Sequence, residues 1–190
     1  MHIAIKMVEE NKGIKLKIPE GVTVQIDGSL VKAIGPKGTL EKDLFHPWLE
    51  MRVEGDNIVI RTKRAKETRV DNLLMHTYRA HVRNILTGVK SGYVAKLKIC
   101  SGHFPMNVGI DGDQITIKNF FGEKIPRKAK IMKGAVVKID GDLIVVTGLD
   151  KDIVGQTAGR IEQATTIRSR DRRRFQDGCH VIAPTSENEQ

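Results

Sequence analysis

The most distinctive chemistry in this chain lies in an arginine run near its C-terminal end. The segment RSRDRRR, Arg168–Arg174, places five arginines in seven positions. The planar guanidinium forms paired hydrogen bonds with phosphate that lysine cannot match. A run of charges is ordinarily a solvated helix end. Here arginine is used to the exclusion of lysine, and five like charges repel one another unless an anion lies near. We therefore favour phosphate contact over solvation.

Two predicted turns carry further basic side chains. GPKG, Gly35–Gly38, is typical of a tight turn that presents Lys37 outward. Its counterpart later in the chain is a longer turn, NFFGEKIPRKAK, with four basic residues: Lys124, Arg127, Lys128 and Lys130. We expect Phe120 and Phe121 to be core residues, because aromatic content is only 4% and no strand face is rich in aromatic side chains.

The sequence shows no group of residues with the spacing that catalysis or metal binding requires. His76 and His81 are five apart, which sets them about 140° apart around a helix, and neither has a carboxylate or thiol nearby at metal-ligand spacing. The Asp111–Asp113 segment resembles the start of a calcium loop but lacks the later glutamate. Cys100 and Cys179 have no base arranged to activate a thiolate. We predict no catalysis, metal or cofactor; a pocket holding a carboxylate or histidine with a strongly shifted pKa would revive an enzymatic hypothesis.

The charge balance favours a polyanionic partner. The chain carries a formal net charge of +9 and has a pI of about 9.6. Residues 1–98 hold 18 Lys and Arg against 11 Asp and Glu, whereas residues 99–190 hold 14 against 12. The arginine run is therefore a local feature of a nearly balanced second half.

The remaining composition is typical of a cytosolic protein. We expect two reduced thiols, because Met1–Asn11 lacks the apolar run and cleavage site of a signal peptide. No window approaches about 18 consecutive apolar residues, so no membrane span is predicted.

The elements that position these residues occur twice. KLKIPEGVTVQIDG begins at Lys15, and KLKICSGHFPMNVGIDG begins at Lys96. Alternating apolar residues in both copies predict half-buried strands. Asp-Gly ends each phrase and predicts a hairpin. A second hairpin with glycine at its turn follows in each half, around Gly55 and Gly141.

Each half then ends in a predicted helix. In the first, the apolar face comprises Val70, Leu74, Tyr78, Val82, Ile85 and Val89, with Gly88 as the expected stop. In the second, Asp150 caps a helix whose inner face comprises Val154, Thr157, Ala158 and Ile161. Gly155 and Gly159 indicate close approach of that helix to its sheet.

These patterns predict an α+β fold of two tandem homologous domains, each an antiparallel β-sheet covered on one face by an α-helix. We place the N-terminal repeat at residues 1–90 and the C-terminal repeat, which carries the arginine run, at residues 91–183. A polar tail at 184–190 is expected to be disordered in isolation.

The C-terminal residues resemble the signature of a known family, universal large-subunit ribosomal protein six, numbered nine in the eukaryotic scheme. The matching positions are Gln163, Ile167, Arg170, Arg173, Phe175, Asp177 and Gly178. The sequence departs from the signature at Cys179, where an aliphatic residue is expected, and at His180, where an aromatic ring is expected. SGHFPMNV, NFFGEKIPRKAKI and VGQTAGRIEQAT are similar to the archaeal and eukaryotic branch, and more closely to the archaeal members; the resemblance covers nearly the whole chain.

The resemblance implies two α+β domains and a structural, non-catalytic role in the cytoplasmic large ribosomal subunit. It implies that the C-terminal repeat is the main rRNA-binding domain and binds near the sarcin–ricin loop and stalk base, with ribosomal proteins as neighbours and translation factors nearby. By carry-over from the signature, the leading phosphate contacts are Arg168, Arg170, Arg172, Arg173 and Arg174. Charge and exposure add Lys37, Lys124, Arg127, Lys128 and Lys130 as weaker candidates. The alternative is a free-standing RNA-binding regulator outside the ribosome.

Overall fold

The computed structural model describes residues 13–64, 67–171 and 173–188 of the chain. The predictions made for Met1–Asn11, for Arg172 and for the last two residues of the tail lie outside the described residues. The chain divides into two compact units, Met1–Lys90 (unit 1) and Ser91–Gln190 (unit 2).

Among its described residues, unit 1 has six strands and one helix. They are β1 (Ile14–Lys17), β2 (Thr23–Asp27), β3 (Leu30–Gly35), β4 (Gly38–Asp43), β5 (Leu49–Glu54), β6 (Asn57–Thr62) and α1 (Arg69–Lys90). The strands form two antiparallel three-stranded sheets, with the orders β1-β6-β5 and β2-β3-β4. The helix packs against both sheets, and Val31, Ile58 and Ile85 lie in the core between them.

The described part of unit 2 has seven strands and one α-helix. They are β7 (Tyr93–Cys100), β8 (Asn107–Asp111), β9 (Gln114–Lys118), β10 (Arg127–Lys130), β11 (Ala135–Asp140), β12 (Leu143–Gly148), α2 (Lys151–Ala164) and β13 (Gly178–Glu187), with a 3₁₀ turn at Phe120–Gly122. The sheet orders are β11-β12-β7-β13 and β10-β9-β8. The helix packs on the four-stranded sheet and against β10.

The two units repeat one topology. In each, the first strand pairs with the last strand before the helix, and the three strands that follow the first form their own sheet. This confirms the tandem α+β fold. One sheet per domain was predicted; in the structure the strands of each unit form two sheets, because β2, β3 and β4, and likewise β8, β9 and β10, are hydrogen-bonded to one another in a sheet of their own. β13 has no counterpart among the described strands of unit 1, and it pairs with the free edge of β7.

Asp-Gly turns fix the hairpin registers. Asp27 pairs with Leu30 and Asp111 with Gln114, which leaves two-residue loops. Gly28 and Gly112 lead these loops with φ of +61° and +56°. The second loop residues, Ser29 and Asp113, do not have a positive φ. A positive φ at the first loop residue alone is the feature of a type II′ turn, and glycine adopts it without strain.

The predicted face of α2 is confirmed, and that of α1 is partly wrong. The buried residues of α2 are Val154, Thr157, Ala158 and Ile161, and the Asp150 side chain accepts the Asp152 N–H at 2.9 Å. In α1, however, Val70 is 57% exposed, and Asp71 and Met75 are buried instead. Gly88 does not end α1, which continues to Lys90.

The two glycines of α2, Gly155 and Gly159, differ in how closely they approach other atoms. A Cβ at Gly155 would come within 3.4 Å of the Thr185 hydroxyl on β13, whereas a Cβ at Gly159 would meet nothing within 4 Å. The close approach predicted for both therefore holds only at Gly155.

The assumed polar tail is largely a strand. β13 continues through Pro184 to Glu187, where Glu187 pairs with Tyr93, and the Asn188 N–H donates to the Gly92 carbonyl at 3.0 Å. Backbone pairing does not depend on the polarity of the side chains, so their composition gave no sign of it. No helix in the described ranges is long and apolar enough to cross a membrane.

Candidate nucleic-acid interface

The arginine run lies in the connection between α2 and β13. We call residues 165–177 the arginine loop. Its arginines were expected at a helix end, but α2 stops at Ala164 and the run follows in irregular backbone. The loop thus belongs to the part of unit 2 that leads into the added strand β13.

One buried threonine joins the two ends of the arginine loop. Thr165, only 3% exposed, follows α2, and its hydroxyl donates to the Glu162 carbonyl at 3.0 Å. The same hydroxyl accepts the backbone N–H of Cys179 at 2.9 Å. Gly178 lies against it, because a Cβ there would be 3.1 Å from the Thr165 hydroxyl oxygen. The loop therefore leaves the core and re-enters it at one point.

Asp177 ties the loop to the segment after β7. Its carboxylate is buried and accepts the backbone N–H groups of Gly102 and His103, while its second oxygen lies 2.6 Å from the His103 ring Nδ1. Burial opposes ionisation, but the hydrogen bonds from His103 and Gly102 outweigh it and lower the pKa of Asp177. The signature aspartate is thus a structural anchor.

An aromatic cluster supports the base of the loop. The Phe175 ring lies 4.8 Å from the His103 ring and 5.8 Å from Phe121, between ring centroids. Phe121 in turn meets the buried Phe120 edge-on at 4.8 Å. The predicted core position is confirmed for Phe120, and Phe121 packs partly against the same core.

Arg170 is held by these rings. Its guanidinium carbon lies 5.3 Å from the Phe121 centroid and 5.1 Å from the Phe175 centroid. Such cation–π contacts contribute about 0.5–1 kcal/mol at exposed sites. No carboxylate within the described ranges pairs with Arg170. The rings therefore orient its guanidinium group while its N–H donors remain available to a ligand.

Arg173 is oriented by the one acidic residue of the run. Its Nη2 lies 2.9 Å from Asp171 Oδ2, and its Nε is 3.1 and 3.2 Å from the two carboxylate oxygens. These hydrogen bonds lower the pKa of Asp171 and raise the pKa of Arg173. The Arg173 side chain is 90% exposed, so the pair is weak and Nη1 still faces solvent.

The other arginines of the run make fewer contacts with the protein. Arg168 and Arg174 are exposed, and neither pairs with a carboxylate in the part of the chain that the structure describes. Arg172 lies outside the described residues. The arginine loop therefore presents four described guanidinium groups on one short connection.

The second basic segment adjoins the loop through Arg127. This side chain donates to both Glu123 oxygens, at 2.8 and 2.6 Å, and from Nη1 to the carbonyls of Ala164 and Thr166 at 3.0 and 3.1 Å. It also covers the Phe120 ring at 4.1 Å. Most of its donors are thus used within the protein, and it holds β10 against the start of the arginine loop. Its hydrogen bonds to Glu123 also lower the pKa of that carboxyl group.

The remaining candidates occupy two places. Lys124, Lys128 and Lys130 are exposed; the last two point outward from β10, an edge strand, although the sequence analysis placed them in a turn. Lys37 is exposed in unit 1, where its backbone N–H donates to the Val89 carbonyl at 3.0 Å. The structure thus brings Arg127 and the arginine loop together and leaves Lys37 in the other unit.

Several supporting residues were not found from the sequence. Thr165 and His103 carry no local motif, because their partners Cys179 and Asp177 are distant in the sequence. Glu123 lies only four residues before Arg127, and that spacing of opposite charges is the signal that could have indicated the pair. Cys179, the departure from the signature, is fully buried in the unit 2 core and takes the place of an aliphatic residue. Burial, and then the neighbouring Cys100, raise its pKa to about 12. Among the described side chains, no three His, Cys, Asp or Glu residues form a group that could hold a metal ion.

Comparison with known proteins reproduces the internal repeat. A family model described as "Ribosomal protein L6" matches twice, over residues 18–92 and 104–178. Three archaeal proteins named "Large ribosomal subunit protein uL6" align over 168 residues, or 88% of this chain. The protein of Methanospirillum hungatei is 39% identical over 94% of its own length. Those of Methanococcus vannielii and Aeropyrum pernix are 39% and 42% identical, each over 91% of its length. With both halves matched and the alignments nearly full length, this chain belongs to the ribosomal protein L6 family.

Proposed function

We propose that this chain is a structural component of the large ribosomal subunit in the cytoplasm, and that the arginine loop binds rRNA phosphates. Family membership supports the first part, since the similar archaeal proteins are named as large-subunit proteins. The proposed role is architectural and involves no chemical step.

The observation that carries the second part is the way the loop is built. Thr165 and Asp177 anchor its ends within the core, and the rings of Phe121 and Phe175 orient Arg170 between them. Structured RNA is recognised largely through phosphate and shape. Guanidinium groups fixed in advance lose less conformational entropy on binding, so this loop suits a folded RNA partner.

The proposal also includes the place on the large subunit where the arginine loop docks. By the family resemblance, the loop docks near the sarcin–ricin loop and stalk base and supports the region where translation factors bind, with other ribosomal proteins alongside. Lys124, Lys128 and Lys130 extend the basic surface from the adjoining segment. Arg127 is assigned a smaller part in RNA binding, because its donors are largely engaged.

The salt dependence of RNA binding tests the phosphate contacts. Filter binding of the full chain to large-subunit rRNA fragments gives the slope of log affinity against log salt. Replacing Arg173 and Arg174 with alanine is expected to make that slope shallower by roughly one to two units. Arg79→Ala with Arg83→Ala, two exposed residues of α1, removes the same charge from unit 1. An equal change in both double variants would exclude a specific role for the loop.

Sedimentation separates the ribosomal role from a free-standing regulator. We expect the chain to co-migrate with large subunits through a sucrose gradient at physiological salt. Recovery only at the top of the gradient, with RNA binding intact, would favour the regulator.

A further inference from the structure

A groove opens beside the arginine loop in unit 2. Its volume is about 590 Å³, within the roughly 300–1,000 Å³ range of small-ligand sites. Its lining includes Ile167, Phe175 and Thr166, together with the exposed Arg173. The groove thus combines apolar walls with an exposed guanidinium.

The groove lining also carries polar groups, those of Glu162, Gln176 and His180. His180 Nε2 lies 3.1 Å from the Gln176 carbonyl oxygen. A carbonyl only accepts, so Nε2 carries the proton of this hydrogen bond. The ring Nδ1 is 4.0 Å from Glu162 Oε1, which accepts the Val181 N–H at 3.2 Å. Glu162 Oε2 accepts from no residue in the described ranges.

We propose that this groove binds a single unstacked guanine base of the partner RNA, read by the Glu162 carboxylate. This inference rests on the proposed function, because the phosphates next to that base lie on the arginine loop. Sequence-specific RNA recognition generally uses bases that leave the helical stack and donate or accept at their edges. The walls cover the base, and the carboxylate meets its edge.

The donor pattern selects guanine. A carboxylate presents two acceptor oxygens and can take two parallel N–H donors. Guanine offers such a pair, N1–H and the N2 amino group, on its Watson–Crick edge. Adenine and cytosine place a ring acceptor beside their amino group, and uracil flanks its one N–H with carbonyls, so each sets an acceptor against the carboxylate.

Arg173 links the base site to the phosphate site. Its Nε and Nη2 face Asp171, while Nη1 donates to no described residue. A nucleotide seated in the groove brings its phosphate to this free donor. One nucleotide is therefore bound both through its phosphate, by Arg173, and through its base, in the groove.

Short oligouridylates that carry one central guanine, adenine or cytosine test the proposal. Their phosphate number is constant, so differences in affinity for the full chain, measured by fluorescence anisotropy at low salt, report the base. We expect the guanine RNA to bind roughly five- to 150-fold more tightly than the others, the range of one bidentate base contact. Glu162→Gln is expected to abolish that ratio, because the amide offers one acceptor and an opposing donor. Glu187→Gln, the same change at the far end of β13, is expected to preserve it.

The negative results separate a failure of the guanine site from a failure of phosphate binding. Equal binding of all these RNAs with a steep salt dependence overturns the base site and leaves phosphate binding standing. No binding by any of them overturns the base site; the phosphate proposal, which concerns folded RNA, is then decided by the salt dependence of binding to the rRNA fragments. If circular dichroism shows that Glu162→Gln does not fold, Thr166→Trp, at an exposed position, fills the groove instead. It is expected to remove the guanine ratio while binding to oligouridylate persists, and an unchanged ratio would refute the proposal.

Discussion

Replacing Thr165 with valine should loosen unit 2 by a predictable amount. Valine keeps the shape but removes a buried hydroxyl that accepts the Cys179 N–H at 2.9 Å and donates to the Glu162 carbonyl at 3.0 Å. Leaving a buried donor unsatisfied costs about 1–3 kcal/mol. The Glu162 carbonyl keeps the Thr165 N–H at 3.1 Å, so its loss adds little. The expected destabilisation is about 2 kcal/mol.

The buried thiol of Cys179 provides the assay. It is fully buried and its pKa is raised to about 12, so it is alkylated only when unit 2 opens. A change of 2 kcal/mol raises the open population roughly 30-fold, and labelling in mild urea, located by peptide mass spectrometry, should rise accordingly. Trp48, the one tryptophan, lies in unit 1, and its fluorescence should be unchanged.

Thr165→Ser is the matched control, because serine keeps the hydroxyl. It should label Cys179 far less than the valine variant does. The assigned role of the Thr165 hydroxyl would be refuted if the valine variant were labelled at the wild-type rate, or if the serine and valine variants were labelled equally.

Two further predictions concern the residues that hold the loop in place. Arg127→Lys should lower the free energy of unfolding of unit 2 by about 1–2 kcal/mol, because one ammonium cannot replace the contacts to Glu123 and two carbonyls. The control Lys128→Met, at an exposed neighbouring position, should change that free energy by less than about 0.5 kcal/mol. Thermal unfolding of both variants and the wild type measures the difference. The pKa of Asp177 is lowered on folding, so its contribution to stability is full above the unfolded value of about 3.9 and lost as pH falls through the folded value. Denaturation from pH 7 to pH 2 should show that loss, and Asp177→Asn should weaken the pH dependence; an equally steep decline in the variant would contradict the assignment.

Local sequence signals were enough for much of the fold. Asp27-Gly28 and Asp111-Gly112 gave correct hairpins because the turn preference lies in adjacent residues. The face of α2 followed from its spacing and its Asp150 cap. In α1, by contrast, apolar residues surround more of the helix at its start, so spacing alone did not show that Val70 faces solvent.

The site was predicted as a set of charges, not as an arrangement. Residue type identified the arginines, and the family resemblance identified Asp177. What the sequence could not give is that Asp177 hydrogen-bonds to His103, 74 positions away, or that Arg127 reaches the Thr166 carbonyl. These contacts depend on packing between distant segments, which leaves no periodicity in either one.

A density map of the large subunit with this chain bound tests the central claim most directly. We expect phosphate oxygens at about 2.7–3.2 Å from guanidinium nitrogens of the arginine loop, with Thr165 and Asp177 still holding its ends. If that loop instead faces bulk solvent or protein carboxylates, with every ribose-phosphate group beyond hydrogen-bond reach, the claim is contradicted.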